Sequence, residues 1–445
     1  MTDLVEDLKA LIRIPSISRD PAHAADVAAA ADWIAGRMRG AGLEHVAVMP
    51  TSGHPAVYGD WLHAAGRPTV LIYAHYDIQP PEPLAGWSSP PFAPEVRDGR
   101  LYGRGASDMK ANLLLPLGAC QSLREAGGAL PVNVRFLYEG EEEVGSRSLP
   151  GLLAAHRDLL ACEHAISADA LQLGEDRPGL LVGLRGSAGA EVHVRSAASD
   201  VHSGRMGGLL PNAALALARI LAGLVGPEGR ILVEGFYDDV RPVSAHERAA
   251  MAALPDDSED LRRAVGARAL HGEPGFTPRE RNWIRPTLDV SGITAGYQGP
   301  GNRTIVPGEA HAKITCRLVP DQEPARIAGL LRAHILAHAP AEVEVTVNAS
   351  GQRAGRPYLV PADHPALAAA ERALARVYGR QPDRTRMGST VPALSILREE
   401  LGIWTVPFGF SLPDENAHAP DEFIRVRSLE RGVQGFRALL EELAR

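Results

Sequence analysis

Several acid and imidazole side chains stand where short apolar runs end, and their types are those that hold divalent cations and move protons. His75 closes the run VLIYAH, and Asp77 follows two residues later. Residues at i and i+2 of a strand point to the same side, so Asp77 can hold the second ring nitrogen of His75 or lie close behind it, an arrangement that fixes the tautomer of a metal-bound imidazole. Asp108 lies in the glycine-rich GRGASDMKAN, ahead of a helix expected from about Ala111; an aspartate there is equally suited to cap that helix. Glu139, Glu141, Glu142 and Glu143 crowd the end of VNVRFLYEGEEEVGS. Such like charges repel one another and, taken alone, read as a solvated turn. A nearby dication reverses that reading, because it neutralises the repulsion and draws carboxylates inward. Asp169 ends HAISAD, and His418 lies in ENAHAPDEF beside the last apolar run.

These residues need a scaffold that brings five loops together, and the hydrophobic patterning supplies one. Leu4, Leu8, Leu11 and Ile12 have helical spacing behind a possible Thr2 or Asp3 cap, and Pro15 ends that helix. A second helix is expected from about Ala24 to Arg39, stopped by Gly40 and Gly42. Short apolar runs then alternate with helical patterns: PTVLIYAHYD, ANLLLPLGACQSLREAGG, VNVRFLYEG, LPGLLAAHRDLL and HAISAD. That alternation predicts an α/β domain with a mostly parallel central sheet flanked by helices, whose binding crevice lies at the carboxyl ends of the strands.

After GLRGS the texture changes. AEVHVRS, TLDVSGITAGY, AHAKITCRLVP and EVEVTVNA read as strands, NAALALARILAGLV and ARIAGLLRAHILAHA as helices, and the polar stretch from about Pro227 to Arg285 as an insertion. A small antiparallel sheet with two helices on one face follows. PYLVPADHPALAAAERALARVYG, IWTVPFGF and the terminal helix SLERGVQGFRALLEELAR resume the first pattern. The expectation is a catalytic domain in two parts, residues 1–186 and 356–445, with an inserted α+β lid over 187–355.

Composition narrows the partners. A chain of 445 residues with 45% hydrophobic content can bury a large core, and a net charge of -8 with scattered arginines argues against nucleic acid. The N-terminus carries acids from residue 3 and no long apolar stretch, which argues against a signal peptide or a membrane span. Cys120, Cys162 and Cys316 have no paired spacing for a disulfide framework or a thiolate zinc site. A cytoplasmic protein whose metals use His, Asp and Glu is expected.

AHYDIQPP, GRGASDMKAN, EGEEEVGS, the Asp169 that precedes GLRG, DVHSG and ENAHAPDEF occur in that order along nearly the whole chain. In this the sequence resembles the co-catalytic metallopeptidase family that contains carnosine dipeptidase, glutamate carboxypeptidases, aminoacylase and the succinyl-diaminopimelate and acetylornithine deacylases. The resemblance implies that His75 and Asp169 bind one divalent metal ion, that Glu143 and His418 bind another, and that Asp108 bridges them. It makes Glu142 the general base, with Asp77 behind His75. Zinc is the expected ion, with manganese or cobalt also accepted by mixed His and carboxylate donors. The same resemblance implies a homodimer through the lid, His202 of DVHSG reaching the partner's site to stabilise the oxyanion, and Arg317 of CRLVPD binding the substrate's terminal carboxylate. Gly388 and Ser389 of MGSTVP would line the pocket, and the Asp108–Met109 peptide would be cis. IQPPEPLAGWSSPPF, the long lid and CRLVPD look most similar to the dipeptidase branch. Ala168 stands directly before the ligand aspartate, where carnosine dipeptidases tend to place Ser. Cleavage of dipeptides or short peptides is the expected reaction. Deacylation of N-acyl amino acids at the same site is the second reading, and a catalytically dead dimeric binding protein is a third.

Overall fold

The run TVLIYAH has apolar residues at successive positions, which suits a strand covered on both faces, and Thr69–His75 is such a strand, buried from Val70 onward. It is paired in parallel with Asn133–Glu139 on one side and His164–Ser167 on the other. The computed structural model describes residues 4–350 and 355–445; the Thr2 or Asp3 cap lies outside them. By contacts, the chain divides into two compact units, one of Met1–Val182, Val360–Thr385 and Val391–Arg445, the other of Gly183–Leu359 and Arg386–Thr390.

The sheet of the first unit runs Glu44–Met49, Ala56–Trp61, Asn133–Glu139, Thr69–His75, His164–Ser167, Thr405–Pro407. Its last four strands are mutually parallel and its first two are antiparallel. The fold is α/β with a mostly parallel central sheet, as the patterning predicts; the two antiparallel strands at one edge go beyond it. Leu71, Tyr73, Leu137 and Ala165 form one face and pack under helices Leu149–Ala155 and Pro392–Leu401. Helix Val426–Leu443 packs against both Ala111–Gly127 and Pro365–Tyr378. The helix Ala24–Gly40 packs against the two antiparallel strands. Each fully buried leucine here contributes about 1.5–3 kcal/mol of transfer free energy. Among the described residues, no helix is long and apolar enough to cross a membrane.

The second unit is the α+β lid, inserted in the chain between two parts of the first. Its sheet runs Thr287–Ala295, Glu309–Leu318, Gly186–Arg195, Glu344–Ser350, antiparallel throughout. Strand alternation sends Ala188, Ala190, Val192 and Val194, with Ala310, Ala312, Ile314 and Cys316, to one face. That face is covered by helices Ala213–Ala222 and Pro324–Ala337 through Leu217, Ile220, Ile327, Leu331 and Ile335. The polar insertion forms three short helices, Ala245–Ala252, Ser258–Ala264 and Pro278–Ile284.

Candidate metal centre

In the first unit, the carboxyl ends of three parallel strands deliver His75, the glutamates and Asp169, and two loops bring Asp108 and His418 beside them. His75 ends its strand directly opposite Glu139 in the parallel register and is 1% exposed. Its Nε2 lies 3.3 Å from Asp108 Oδ1, while its Nδ1 faces the main-chain oxygen of Asp77 at 3.1 Å and Asp77 Oδ1 at 3.4 Å. The fully buried Asp77 does more than sit behind the imidazole. Its carboxylate accepts the backbone N–H groups of Glu142 and Glu143, at 3.1 and 3.0 Å, and the Ser18 hydroxyl at 2.6 Å. One carboxylate therefore orients both His75 and the turn that carries the Glu pair.

The four glutamates divide by role. Glu139 accepts hydrogen bonds from the Tyr73 hydroxyl (2.6 Å) and the Ser146 hydroxyl (2.8 Å), and burial pushes its carboxyl up to about 7. Glu141 accepts from the N–H groups of Ser148 and His54 and pins the loop. Glu143 points its Oε1 at His418 Nε2, 3.0 Å away, and takes the Gln79 amide on Oε2 at 2.8 Å. Glu142 stands beside the charges of His75, Asp169 and Glu143, and burial raises its carboxyl well above the usual range.

Asp108 occupies the middle. Its Oδ2 is 3.0 Å from His418 Nε2, and its Oδ1 faces His75. The loop that presents it turns at Gly105, in the left-handed region at φ +81°, where an added Cβ would lie 2.5 Å from Ile78 Cγ2. Glu422 clamps this loop from within. Its carboxylate accepts the N–H groups of Gly105, Ser107 and Asp108, each at 2.8–2.9 Å, and the Arg104 guanidinium at 2.7 Å. Lys110 Nζ donates to the carbonyls of Leu11 and Ile14, tying the loop to the end of the first helix. Asp108 and Met109 depart from helical dihedrals, and the peptide between them is cis. Asp169 follows its strand by two residues, its own N–H donating to Ser167 Oγ at 3.2 Å. The serine thus serves the aspartate's backbone from two positions back, across Ala168.

Two donor groups result, His75 with Asp108 and Asp169, and Asp108 with Glu143 and His418, each with ligand atoms within 4.8 Å of one another. They share Asp108. Five carboxylates (Asp77, Asp108, Glu142, Glu143, Asp169) face two imidazoles, an excess of negative charge that dications would balance. The imbalance shows in the side chains. Burial and the neighbouring Asp108 carboxylate push Asp169 up to about 7. Hydrogen bonds donated to the Asp108 and Glu143 carboxylates raise His418 to about 10. Burial alone would raise Asp108, but the hydrogen bonds from His418 and His75 outweigh it and hold that carboxyl well below the usual range. Hard oxygen donors with imidazole suit zinc, manganese or cobalt.

In the second unit, the residues expected to bind substrate also come together. Arg317 Nη1 donates to Thr390 Oγ1 at 2.9 Å, Thr390 Oγ1 donates to the Arg185 carbonyl at 2.7 Å, and Arg185 Nε donates to the Gly388 carbonyl at 2.9 Å. The Arg185 N–H donates to Ser389 O at 3.1 Å. Arg185 is buried, and burial together with the nearby Arg317 guanidinium lowers it to about 10. A Cβ at Gly388 would meet the Asn282 amide at 2.6 Å. His202 is exposed at the start of a short helix, where its Nδ1 accepts the Gly204 N–H at 3.0 Å. Gln79, Glu422, Arg185 and Thr390 carry no assignment from sequence; all four lie inside quoted motifs, AHYDIQPP, ENAHAPDEF, GLRG and MGSTVP, and that was the signal that pointed to them.

Overlapping donor groups sharing one aspartate, at the carboxyl ends of a mostly parallel sheet, define a hydrolase of the dinuclear metal type. The chain belongs to the peptidase family M20/M25/M40, whose model matches residues 71–442, and is a metallopeptidase. It is 30% identical over 463 residues to the Cys-Gly metallodipeptidase dug1 of Schizosaccharomyces pombe, covering 99% of this chain and 96% of that protein. It is 30% identical over 384 residues to the Beta-Ala-His dipeptidase of Homo sapiens, covering 84% and 75%. Among solved structures, the M20 family metallo-carboxypeptidase Sso-CP2 from Sulfolobus solfataricus matches with a TM-score of 0.88, 31% identity and complete coverage of both chains. Human carnosine dipeptidase 1 matches with a TM-score of 0.82 and 27% identity over 99% and 96%.

Proposed function

We propose that this metallopeptidase hydrolyses the peptide bond of dipeptides or short peptides. The observation that carries the reading is Asp108 set between His75 and His418, with Glu142 beside both donor groups and a member of neither. His75 and Asp169 would hold one divalent ion, Glu143 and His418 the other, with Asp108 shared; zinc is the proposed ion. When bound, the pair supplies a water of near-neutral pKa and polarises the scissile carbonyl. Glu142 takes the proton of that water and returns it to the leaving amine, a transfer typically worth 10²- to 10⁴-fold. Asp77 holds the main chain of Glu142 in place, which fixes the point from which its side chain enters the site.

His202 is proposed as the donor to the tetrahedral oxyanion, acting across a homodimer formed through the lid. Because its Nδ1 accepts a hydrogen bond, the proton of the neutral ring sits on Nε2, which leaves a donor on the side away from its own turn. Arg317, braced by Thr390, is proposed to take the substrate's carboxylate, with Gly388 and Ser389 lining the pocket. The names of its relatives point to small dipeptides such as Cys-Gly and β-Ala-His. The free thiols Cys120, Cys162 and Cys316 fit a reducing cytoplasm. Comparing kcat/KM on Cys-Gly, Ala-Ala and β-Ala-His with that on N-acetyl amino acids tests the reaction. Dipeptide turnover is expected to dominate, and preference for the N-acyl substrates would replace this reading with the deacylase.

A further inference from the structure

The lid sheet carries a second set of ligating side chains on the face opposite its helices. Strand alternation that sends Val192, Val194, Ala310 and Ala312 to the core sends His193, Glu309 and His311 the other way. His193 and His311 are direct partners across two adjacent antiparallel strands. Their rings lie 4.2 Å apart and only 4° from parallel. Glu309, two residues before His311, shares that face, with Oε2 3.7 Å from His193 Nε2 and Oε1 3.8 Å from Arg195 Nε. Neither separation is a hydrogen bond.

His193 Nε2 is shut off from solvent, yet it has no hydrogen-bond partner. A ring nitrogen in that position is an unmet polar group, and its neighbours are an imidazole and a carboxylate. The ligand atoms of all three residues lie within 4.8 Å of one another. Donors on one ion at about 2.0–2.2 Å stand about 3–4 Å apart, so small side-chain rotations bring these into range. The strands fix the two histidines in register, so little freedom is lost on binding.

We propose that His193, His311 and Glu309 bind a divalent transition-metal ion of the zinc and copper class, completed by water. Two imidazoles and one carboxylate are the donors that such ions prefer over magnesium or calcium. The site shares no residue with the donor groups of the first unit.

Equilibrium dialysis of the full chain against Zn²⁺, read by elemental analysis, tests this. His193→Ala and His311→Ala should each bind one equivalent fewer per chain than the wild type, and Glu309→Gln should bind the same ion about tenfold more weakly. His246→Ala, an exposed histidine elsewhere in the lid, should change nothing. Because this is a difference between variants, it stands whether or not the first unit holds two ions. Equal numbers of equivalents at equal affinity in the wild type and all three site variants would overturn the proposal. Far-UV circular dichroism of the metal-free variants should match the wild type, since these side chains lie on an outer face.

Discussion

Glu142 and Glu143 are neighbours in sequence and opposite in role. Glu143 faces His418 at 3.0 Å, within a donor group, whereas Glu142 belongs to neither group. Glu142→Gln should therefore lower kcat by about a hundredfold or more with metal content unchanged, because a base outside the coordination sphere contributes to proton transfer alone. Glu143→Gln should lose metal occupancy in elemental analysis. If the two variants exchanged these behaviours, base and ligand would be reversed. The donor residues were expected from the motifs that carry the family resemblance, since each alone is a weak signal, and the structure brings them together in two groups. Asp77 behind His75 was legible from its place two residues on, but the other residues that brace the site were not, because their role depends on hydrogen bonds between distant segments. Glu422 meets Gly105 and Asp108 across more than three hundred residues, and one sequence carries no record of that pairing.

At the scale of elements, strand ends supply ligands and buried carboxylates hold the loops that follow. Glu422 is a positioning residue for Asp108. Glu422→Gln keeps the shape but removes the charge that gathers three N–H groups and Arg104. Competition with a chelator should show metal affinity reduced about 10- to 100-fold, the usual cost of losing such support. Unchanged affinity would make Glu422 a local structural residue only. The strands themselves are held by burial. Ile72 is 1% exposed at the centre of the sheet, and Ile72→Ala should cost about 2–5 kcal/mol in urea unfolding. The parallel strands were legible as apolar runs. The antiparallel pair Glu44–Met49 and Ala56–Trp61 was not, since EHVAVM and AVYGDW mix polar and apolar residues without clean alternation. Pairing and the helix Ala24–Gly40 stabilise them, rather than local pattern.

For the whole molecule, the change of texture after GLRGS announced the inserted lid, but the return of Arg386–Thr390 to the second unit was not legible. That short segment has no periodicity of its own, and its place follows from hydrogen bonds to Arg185 and Arg317. If His202 acts across a lid dimer, inactive His202→Ala and Glu142→Ala chains should complement. Random re-assortment of equal amounts makes half the dimers mixed, each with one intact site, so about a quarter of wild-type sites should return. Re-assorted dimers, confirmed by mass, that regain no activity would place His202 in its own chain. The central claim, that one aspartate joins two ligand groups, is tested most directly by counting the metal held in the first unit. In a His193→Ala background, elemental analysis after dialysis should find close to two ions per chain. Asp108→Ala in that background should lose both ions together with dipeptide hydrolysis, and a chelator should abolish activity in the parent. An Asp108→Ala chain that keeps two ions, or a metal-free parent that still cleaves dipeptides, would contradict the account.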